Sequence, residues 1–287
     1  MLYSYQYPFV PETMPLWYVF IFIFGLCLGS FLNVCIWRIP RGESVVFGPS
    51  HCPNCNYRLK WYENIPVLSW LCLRGHCSNC KIPISPGYLF IELITGILIV
   101  ADWWRVVNWH RPLPLFIFYT LATILFIVTF FTDLKHKIIP NKLTYTVIII
   151  CFILAFFFPQ GLLKDNSIDA FVNSFTGALI AGGCLAVVLI LGKIILKKDA
   201  LGWGDVKFIA AVGACFGLFP LVWFFTILVG SILGTVTITF LLLFKKQKWS
   251  AEIPFGPFLA VAGYLWILCG QELFDKYFEF IRYLVQL

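Results

Sequence analysis

Charge is scarce in this chain. Only 12% of its 287 residues are charged, against 60% hydrophobic, and the mean hydropathy is +0.87. That balance excludes a soluble globular protein and leaves a polytopic membrane protein. Basic residues are missing ahead of the first long apolar run, Leu16 to Ile36, whereas Arg38 and Arg41 follow it. A secretory signal peptide carries its positive charge first, so this run is expected to be a retained helix with its N-terminus outside. Long polar stretches are lacking too: the segment from Trp37 to Pro86 is the only one large enough for a small extramembrane domain.

What the chain does have is a succession of apolar runs. After the first come 87–104, 114–132, 143–159, 171–196, 208–219, 221–244 and 254–270. The expected fold is therefore all-α, a polytopic membrane protein of about eight transmembrane helices with a cytoplasmic loop domain between helices 1 and 2. The run at 208–219 falls short of the ~20 residues that cross the hydrocarbon, so it reads as a half helix or one lengthened by its neighbours. Small residues at four-residue spacing, Gly25 and Gly29, Gly213 and Gly217, Gly230 and Gly234, mark faces where helices approach closely.

If the runs alternate from an outside N-terminus, the basic residues sort by side. Cytoplasmic segments hold Arg38 to Lys81, Lys135 to Lys142, Lys193 to Lys207 and Lys245 to Lys248; the outside segments hold only Arg105, Arg111, Lys164, Lys276 and Arg282. The positive-inside rule supports this orientation. The last stretch, 271–287, carries Phe274, Tyr277, Phe278, Ile281 and Leu284 at helical spacing and is expected to lie along the outer interface.

Most of the eleven cysteines lie singly in apolar runs, where a cysteine serves as a small buried hydrophobe. The exception is two CxxC pairs, Cys52-Pro-Asn-Cys55 and Cys77-Ser-Asn-Cys80, with twenty-one residues between them. This spacing resembles that of four-thiolate zinc sites, and each pair repeats the pattern H-C-x-N-C, starting at His51 and His76. The expected metal is structural Zn²⁺ held by Cys52, Cys55, Cys77 and Cys80, since four protein ligands leave no open position for a substrate. A redox CxxC is the competing reading, and either histidine could replace a cysteine as ligand.

Two carboxylates stand at helix boundaries. Asp133 ends the run from Leu115 to Thr132, and Asp205 follows the glycines of Gly202-Trp203-Gly204. Two carboxylates sharing a desolvated site tend to hold one proton between them, the arrangement by which aspartic proteases activate water. Gly202 and Gly204 are expected to leave room for water and an extended peptide. Solvated loop aspartates, or a proton relay joined by Glu92 in a carrier, are the alternatives.

Taken together these residues resemble the type IV prepilin peptidases, the bifunctional leader peptidase and N-methyltransferase family of membrane aspartic proteases. The resemblance covers most of the chain: Gly29-Ser-Phe-Leu-Asn-Val34 with Arg38-Ile-Pro40, both cysteine pairs with Asn64-Ile-Pro-Val-Leu-Ser-Trp70 and Leu73-Arg-Gly75, then Ile84-Ser85, Tyr88 and Glu92. It continues through Asp133-Leu134 with Ile139-Pro140, Gly202-Trp-Gly-Asp-Val-Lys207 and Ile253-Pro-Phe-Gly-Pro-Phe258. Three residues depart from the family pattern: Asn141 stands where Asp is usual, Asp199 where Glu is common, and Trp203 is larger than the usual residue.

The resemblance implies removal of the leader of prepilins and pseudopilins after a glycine, then methylation of the new N-terminus, usually phenylalanine, from S-adenosylmethionine. It assigns Asp133 and Asp205 as the catalytic dyad and Gly202, Gly204 and Lys207 to the active-site loop. Asn64, Arg74 and Glu92 occupy family-like positions for holding the methyl donor, since no glycine-rich Rossmann fingerprint is present. The implied surroundings are the lipid of the bacterial inner membrane, with the site on the cytoplasmic side and no nucleic acid partner. The domains would be an N-terminal helix at 1–36, a zinc-binding, methyltransferase-associated domain at 37–86, a second helix and outer loop at 87–113, a peptidase domain at 114–270, and the C-terminal segment. Another GxGD intramembrane protease without methyltransferase activity is the runner-up, because GxGD alone is shared more widely.

Overall fold

The structure is a computed structural model that describes residues 14–196, 202–218, 222–244 and 254–286. Asp199, the basic segment Lys245 to Lys248 and Ile253 lie outside the described residues. The chain divides into two compact units, one covering Gln6–Val107 and the other Asn108–Leu287 with the first five residues.

The first unit is built on two long helices, α1 (Met14–Arg38) and α3 (Pro86–Asn108), with the short α2 (Leu68–Cys72) in the segment between them. Gly25 and Gly29 form the α1 face that meets α3. A Cβ on Gly25 would lie 2.8 Å from Gly96 Cα, and one on Gly29 would lie 2.7 Å from Glu92 Cα. The pairing of 25 with 96 and 29 with 92 makes the two helices antiparallel, and backbones this close admit no side chain larger than hydrogen. At the end of α1 the buried Arg38 guanidinium donates to the carbonyls of Ser44 and Pro49, both at 3.1 Å, and folds residues 39–49 back over the helix end.

The second unit contains α4 (Pro114–His136), α5 (Asn141–Phe157), α6 (Ser167–Leu196), α7 (Trp203–Phe216), α8 (Val222–Leu243), α9 (Gly256–Leu265) and α10 (Gln271–Gln286). A π-helical turn, Trp266–Gly270, joins α9 to α10. Its centre is α7, which packs against α4, α5, α6 and α8. Phe208, Ile209, Ala211, Val212, Ala214 and Cys215 of α7 are completely buried. A helix apolar on every side needs such surroundings. Small residues again set the contacts: Gly182 faces Ala210 across α6 and α7, while Gly230 and Gly234 face Leu259 and Phe258 across α8 and α9.

All eight expected apolar runs form helix, but the count of eight spans is not reproduced. Among the described residues five helices are long and apolar enough to cross a membrane: Met14–Arg41, Pro114–His136, Ser167–Ile195, Val222–Leu243 and Gly256–Glu279. The other three fall short for different reasons. At ~1.5 Å per residue α5 and α7 extend roughly 26 and 21 Å, less than the ~30 Å of hydrocarbon. In α3 the charged residues Glu92, Asp102 and Arg105 are buried within the protein, which dilutes its apolar character without exposing charge to lipid. The chain is a multi-pass membrane protein.

Candidate functional site

Asp133 and Asp205 are brought together in the second unit, where both line one cleft of about 450 Å³. They sit at opposite kinds of helix end. Asp133 lies in the last turn of α4, whose C-terminus is closed by Lys137 in a left-handed conformation, its N–H 2.8 Å from the Asp133 carbonyl. Asp205 lies in the first turn of α7, where its Oδ2 accepts the Gly202 N–H at 3.1 Å and so caps the helix with its own side chain. Asp133 Oδ2 likewise accepts a backbone N–H, that of Gly256 at the start of α9, at 2.9 Å.

Each carboxylate is therefore held by one oxygen. Among the described residues the other oxygen of neither is sealed from solvent without a partner. Asp205 stands ahead of the apolar run and outside the five spans. Burial, opposed by the Gly202 N–H, pushes its carboxyl up to about 6, and the neighbouring Asp133 acts in the same direction as burial. A group so placed keeps a proton into the near-neutral range, which is what a shared-proton pair requires.

The glycines of the Asp205 motif divide the work. A Cβ on Gly204 would lie 3.1 Å from Ile139 Cβ, so its missing side chain lets α7 approach the segment 138–140. Gly202 supplies the amide that holds Asp205. Trp203, between them, is 57% exposed and forms part of the cleft wall with Phe255. Lys207 is also on the wall; its Nζ donates to Asn141 Oδ1 at 3.0 Å and lies 5.5 Å from the centre of the Tyr145 ring.

One residue of this site is not apparent from the sequence pattern alone. A Cβ on Gly256 would lie 2.6 Å from Asp133 Oδ2, so only glycine lets the α9 amide reach the carboxylate. The adjoining Pro257, at the first turn of α9, is a helix-start signal, but nothing in its spacing points to Asp133.

The cysteine cluster lies in the first unit, and its four Sγ atoms are within 4.8 Å of one another. Cys52 and Cys80 are 3.8 Å apart, and Cys55 and Cys77 are 4.0 Å apart. A tetrahedron with Zn–S bonds of about 2.3 Å has edges of about 3.8 Å, so the thiols fit a zinc ion.

The two halves repeat at an offset of 25 residues well beyond H-C-x-N-C. The Cys52 N–H donates to Tyr57 O and the Cys77 N–H to Ile82 O, both at 2.9 Å; the Asn56 and Lys81 N–H groups return to Cys52 O and Cys77 O. Asn56 and Lys81 both have positive φ, at 56° and 59°. Isolated bridges pair His51 with Arg58 and His76 with Pro83. The asparagine of each half reaches across, Asn54 Nδ2 to Cys80 Sγ and Asn79 Nδ2 to Cys55 Sγ, each at 3.7 Å. The Ile82 backbone N–H holds the Cys80 thiol down at about 6, favouring the thiolate a metal takes. His51 and His76 turn Nδ1 to the carbonyls of Pro49 and Arg74, and neither belongs to the sulfur cluster.

Asn64, Arg74 and Glu92 are not joined by any hydrogen bond among the described residues. Asn64 and Arg74 are exposed, whereas Glu92 is buried and its Oε2 accepts the Val67 N–H at 2.7 Å. Val67 has φ 62° and ψ −54°, and Leu68 N is 2.6 Å from Pro66 O. This is the rare form of γ-turn, strained for a β-branched residue, and Glu92 fastens it to α3.

The fold and the cleft define a polytopic membrane protein with a paired-aspartate site. Residues 23–106 match the bacterial peptidase A24 N-terminal domain and residues 120–239 match the type IV leader peptidase family. The prepilin leader peptidase/N-methyltransferase of Stutzerimonas stutzeri is 31% identical over 91% of this chain and 93% of its own, and that of Aeromonas hydrophila is 33% identical over 90% and 92%. The protein of the same name from Myxococcus xanthus is 38% identical over 70% of this chain and 56% of its own. No solved structure matches the chain. The chain belongs to the type IV leader peptidase family.

Proposed function

We propose that this protein removes the leader peptide of type IV prepilins and pseudopilins, cutting after glycine, and then methylates the new N-terminal residue, usually phenylalanine. The observation that carries the peptidase reading is the cleft in which Asp133 and Asp205, 72 residues apart in sequence and on different helices, each take one backbone amide and keep one oxygen for chemistry. The ionised member takes a proton from water as the water oxygen attacks the scissile carbonyl. The protonated member hydrogen-bonds the carbonyl oxygen, and the departing amine leaves with a proton from the pair. Gly202 and Gly256 hold the two carboxylates in place during the exchange, and Gly204 keeps α7 close to Ile139.

Cys52, Cys55, Cys77 and Cys80 would hold a Zn²⁺ ion whose contribution is to cross-link the loop between α1 and α3. The spacing of the sulfurs and the crossed asparagines support this reading. S-adenosylmethionine supplies the methyl group, and the acceptor amine, with an ordinary pKa of roughly 7.7–8.0, needs little help to lose its proton. Asn64, Arg74 and Glu92 remain the residues proposed to face the methyl donor, with Glu92 acting through the Val67 turn. The domains are proposed to divide as expected from the sequence, in the inner membrane, N-terminus outside, with cleft and zinc loop on the cytoplasmic side.

The test is incubation of the purified chain with a prepilin and a labelled methyl donor, reading both leader loss and label by mass. Asp133→Asn and Asp205→Asn are each expected to reduce cleavage at least a thousandfold, with zinc content and labelling of a pre-cleaved substrate retained. Cleavage surviving in both variants rejects the dyad.

A further inference from the structure

We propose that the turn at Val46-Phe47 is a lipid anchor, whose two apolar side chains enter the bilayer interface where α1 ends. Val46 is 77% exposed and Phe47 80%, the highest value for a large hydrophobic side chain among the described residues. Adjacent apolar side chains left this bare call for a covering partner.

What covers them follows from where the turn is held. α1 belongs to one of the five spans, and its apolar run stops at Trp37 and Arg38. Trp37 is exposed, and the Arg41 guanidinium lies 3.6 Å from the centre of its ring while donating to its carbonyl at 2.7 Å. Aromatic and basic residues at the end of a span mark the headgroup layer. The buried Arg38 guanidinium ties the turn to that level, because it donates to the Phe47 and Gly48 carbonyls, each at 3.4 Å, as well as to those of Ser44 and Pro49. Phe47 is thus held within one arginine's reach of the helix end, a length comparable to the ~5–8 Å headgroup layer. Gly48, with φ 106°, bends the chain so that its carbonyl joins this cradle.

The backbone of the turn is suited to a place short of water. The Val46 and Phe47 N–H groups both donate to Ser44 Oγ, at 3.3 and 3.1 Å, and the Phe47 carbonyl accepts from Arg38. Peptide groups satisfied within the chain approach lipid at low cost, a closure that a loop in water does not need. Charge is not the attraction. Between Trp37 and Pro49 the ionisable residues are Arg38, Arg41 and Glu43, and with Arg38 buried the exposed pair balances. Binding therefore rests on the apolar pair, and the partner it fits is the lipid surface itself.

The experiment uses the full chain in nanodiscs of zwitterionic lipid. With a benzophenone amino acid in place of Phe47, irradiation is expected to give lipid adducts, located by mass, whether or not a prepilin is present. Adducts to the prepilin, adducts to a second copy of the chain, or no adduct overturns the proposal. Cutting after Glu43 by a glutamyl endopeptidase gives the second readout. Val46→Ser with Phe47→Ser is expected to raise its rate about tenfold or more, with zinc content unchanged, because both side chains are exposed within the protein and their loss removes no internal packing. Val46→Leu with Phe47→Trp, which keeps the pair apolar, is expected to restore the original rate. An unchanged rate in the serine variant shows that the Arg38 cradle alone holds the turn. Failure of the apolar variant to restore protection, or protection confined to anionic lipid, assigns the contact to side-chain shape or to charge. Each of these three results overturns the anchor. Leader removal enters neither readout, so the peptidase reading stands or falls separately.

Discussion

The cysteine loop and the aspartate cleft both crowd groups that repel one another once ionised, and they restrain them by different means. In the loop, four thiols converge from a segment of 29 residues, and the backbone and asparagine hydrogen bonds that shape the two knuckles are made among residues 52–82. Their charge calls for a cation from outside the chain. In the cleft, two carboxylates come from α4 and α7, and a third element, α9, supplies the amide that holds one of them. There burial pushes the Asp205 carboxyl up to about 6, Asp133 acts in the same direction, and each carboxylate accepts one backbone N–H. A local motif can be satisfied by a ligand, whereas a site assembled from distant helices is only as well defined as the packing between them.

The largest effect that would break this contrast is on the loop. A Cys52→Ser and Cys77→Ser double variant is expected to lose its zinc, about one per chain in the unaltered protein, and to become cleavable by protease between residues 39 and 85, read by mass mapping; metal-free protein with an equally resistant loop and full activity would show that the thiols need no cation. Next comes the amide on which the cleft depends. Gly256→Ala is expected to lower prepilin cleavage roughly ten- to a hundredfold while zinc content and labelling of pre-cleaved substrate hold, because the added Cβ displaces the N–H that Asp133 accepts. Cleavage at the normal rate in this variant would mean that the dyad is held by something other than its backbone partners.

The smallest effect sharpens the symmetry of the loop. Asn54→Ala and Asn79→Ala are each expected to weaken zinc affinity about tenfold and by similar factors, measured by competition with a chelator, since each removes one N–H from one sulfur on either side of the cluster. A large difference between them would assign the asparagines to the loop's shape rather than to the metal.

Much of both regions was legible beforehand, and for reasons that can be named. The four cysteines declare themselves because CxxC brings two ligands within reach of one ion whatever the rest of the chain does. Asp133 and Asp205 stand out because a carboxylate bordering an apolar run is costly unless it has work. The Gly25 and Gly29 face announced a helix contact, but the partner, α3 through Gly96 and Glu92, appears only in three dimensions. Of the eight spans expected, five are reproduced among the described residues: α3 carries Glu92, Asp102 and Arg105, and α5 and α7 are shorter than the hydrocarbon is thick, features that an apolar run in the sequence does not show.

Sequence by itself determined the class of the protein and the positions of most of its helices, and it singled out the four cysteines that converge and the two aspartates that line one cleft, since each depends on residue type and short spacing. Tertiary structure alone decided that Gly256 is the partner of Asp133, that Glu92 secures the strained turn at Val67, and that Lys207 lies against an uncharged Asn141. Those contacts join residues 123, 25 and 66 positions apart. Nothing in local spacing encodes them; they follow from which helix faces fit together closely enough to bring a backbone amide or a side-chain head within hydrogen-bonding range.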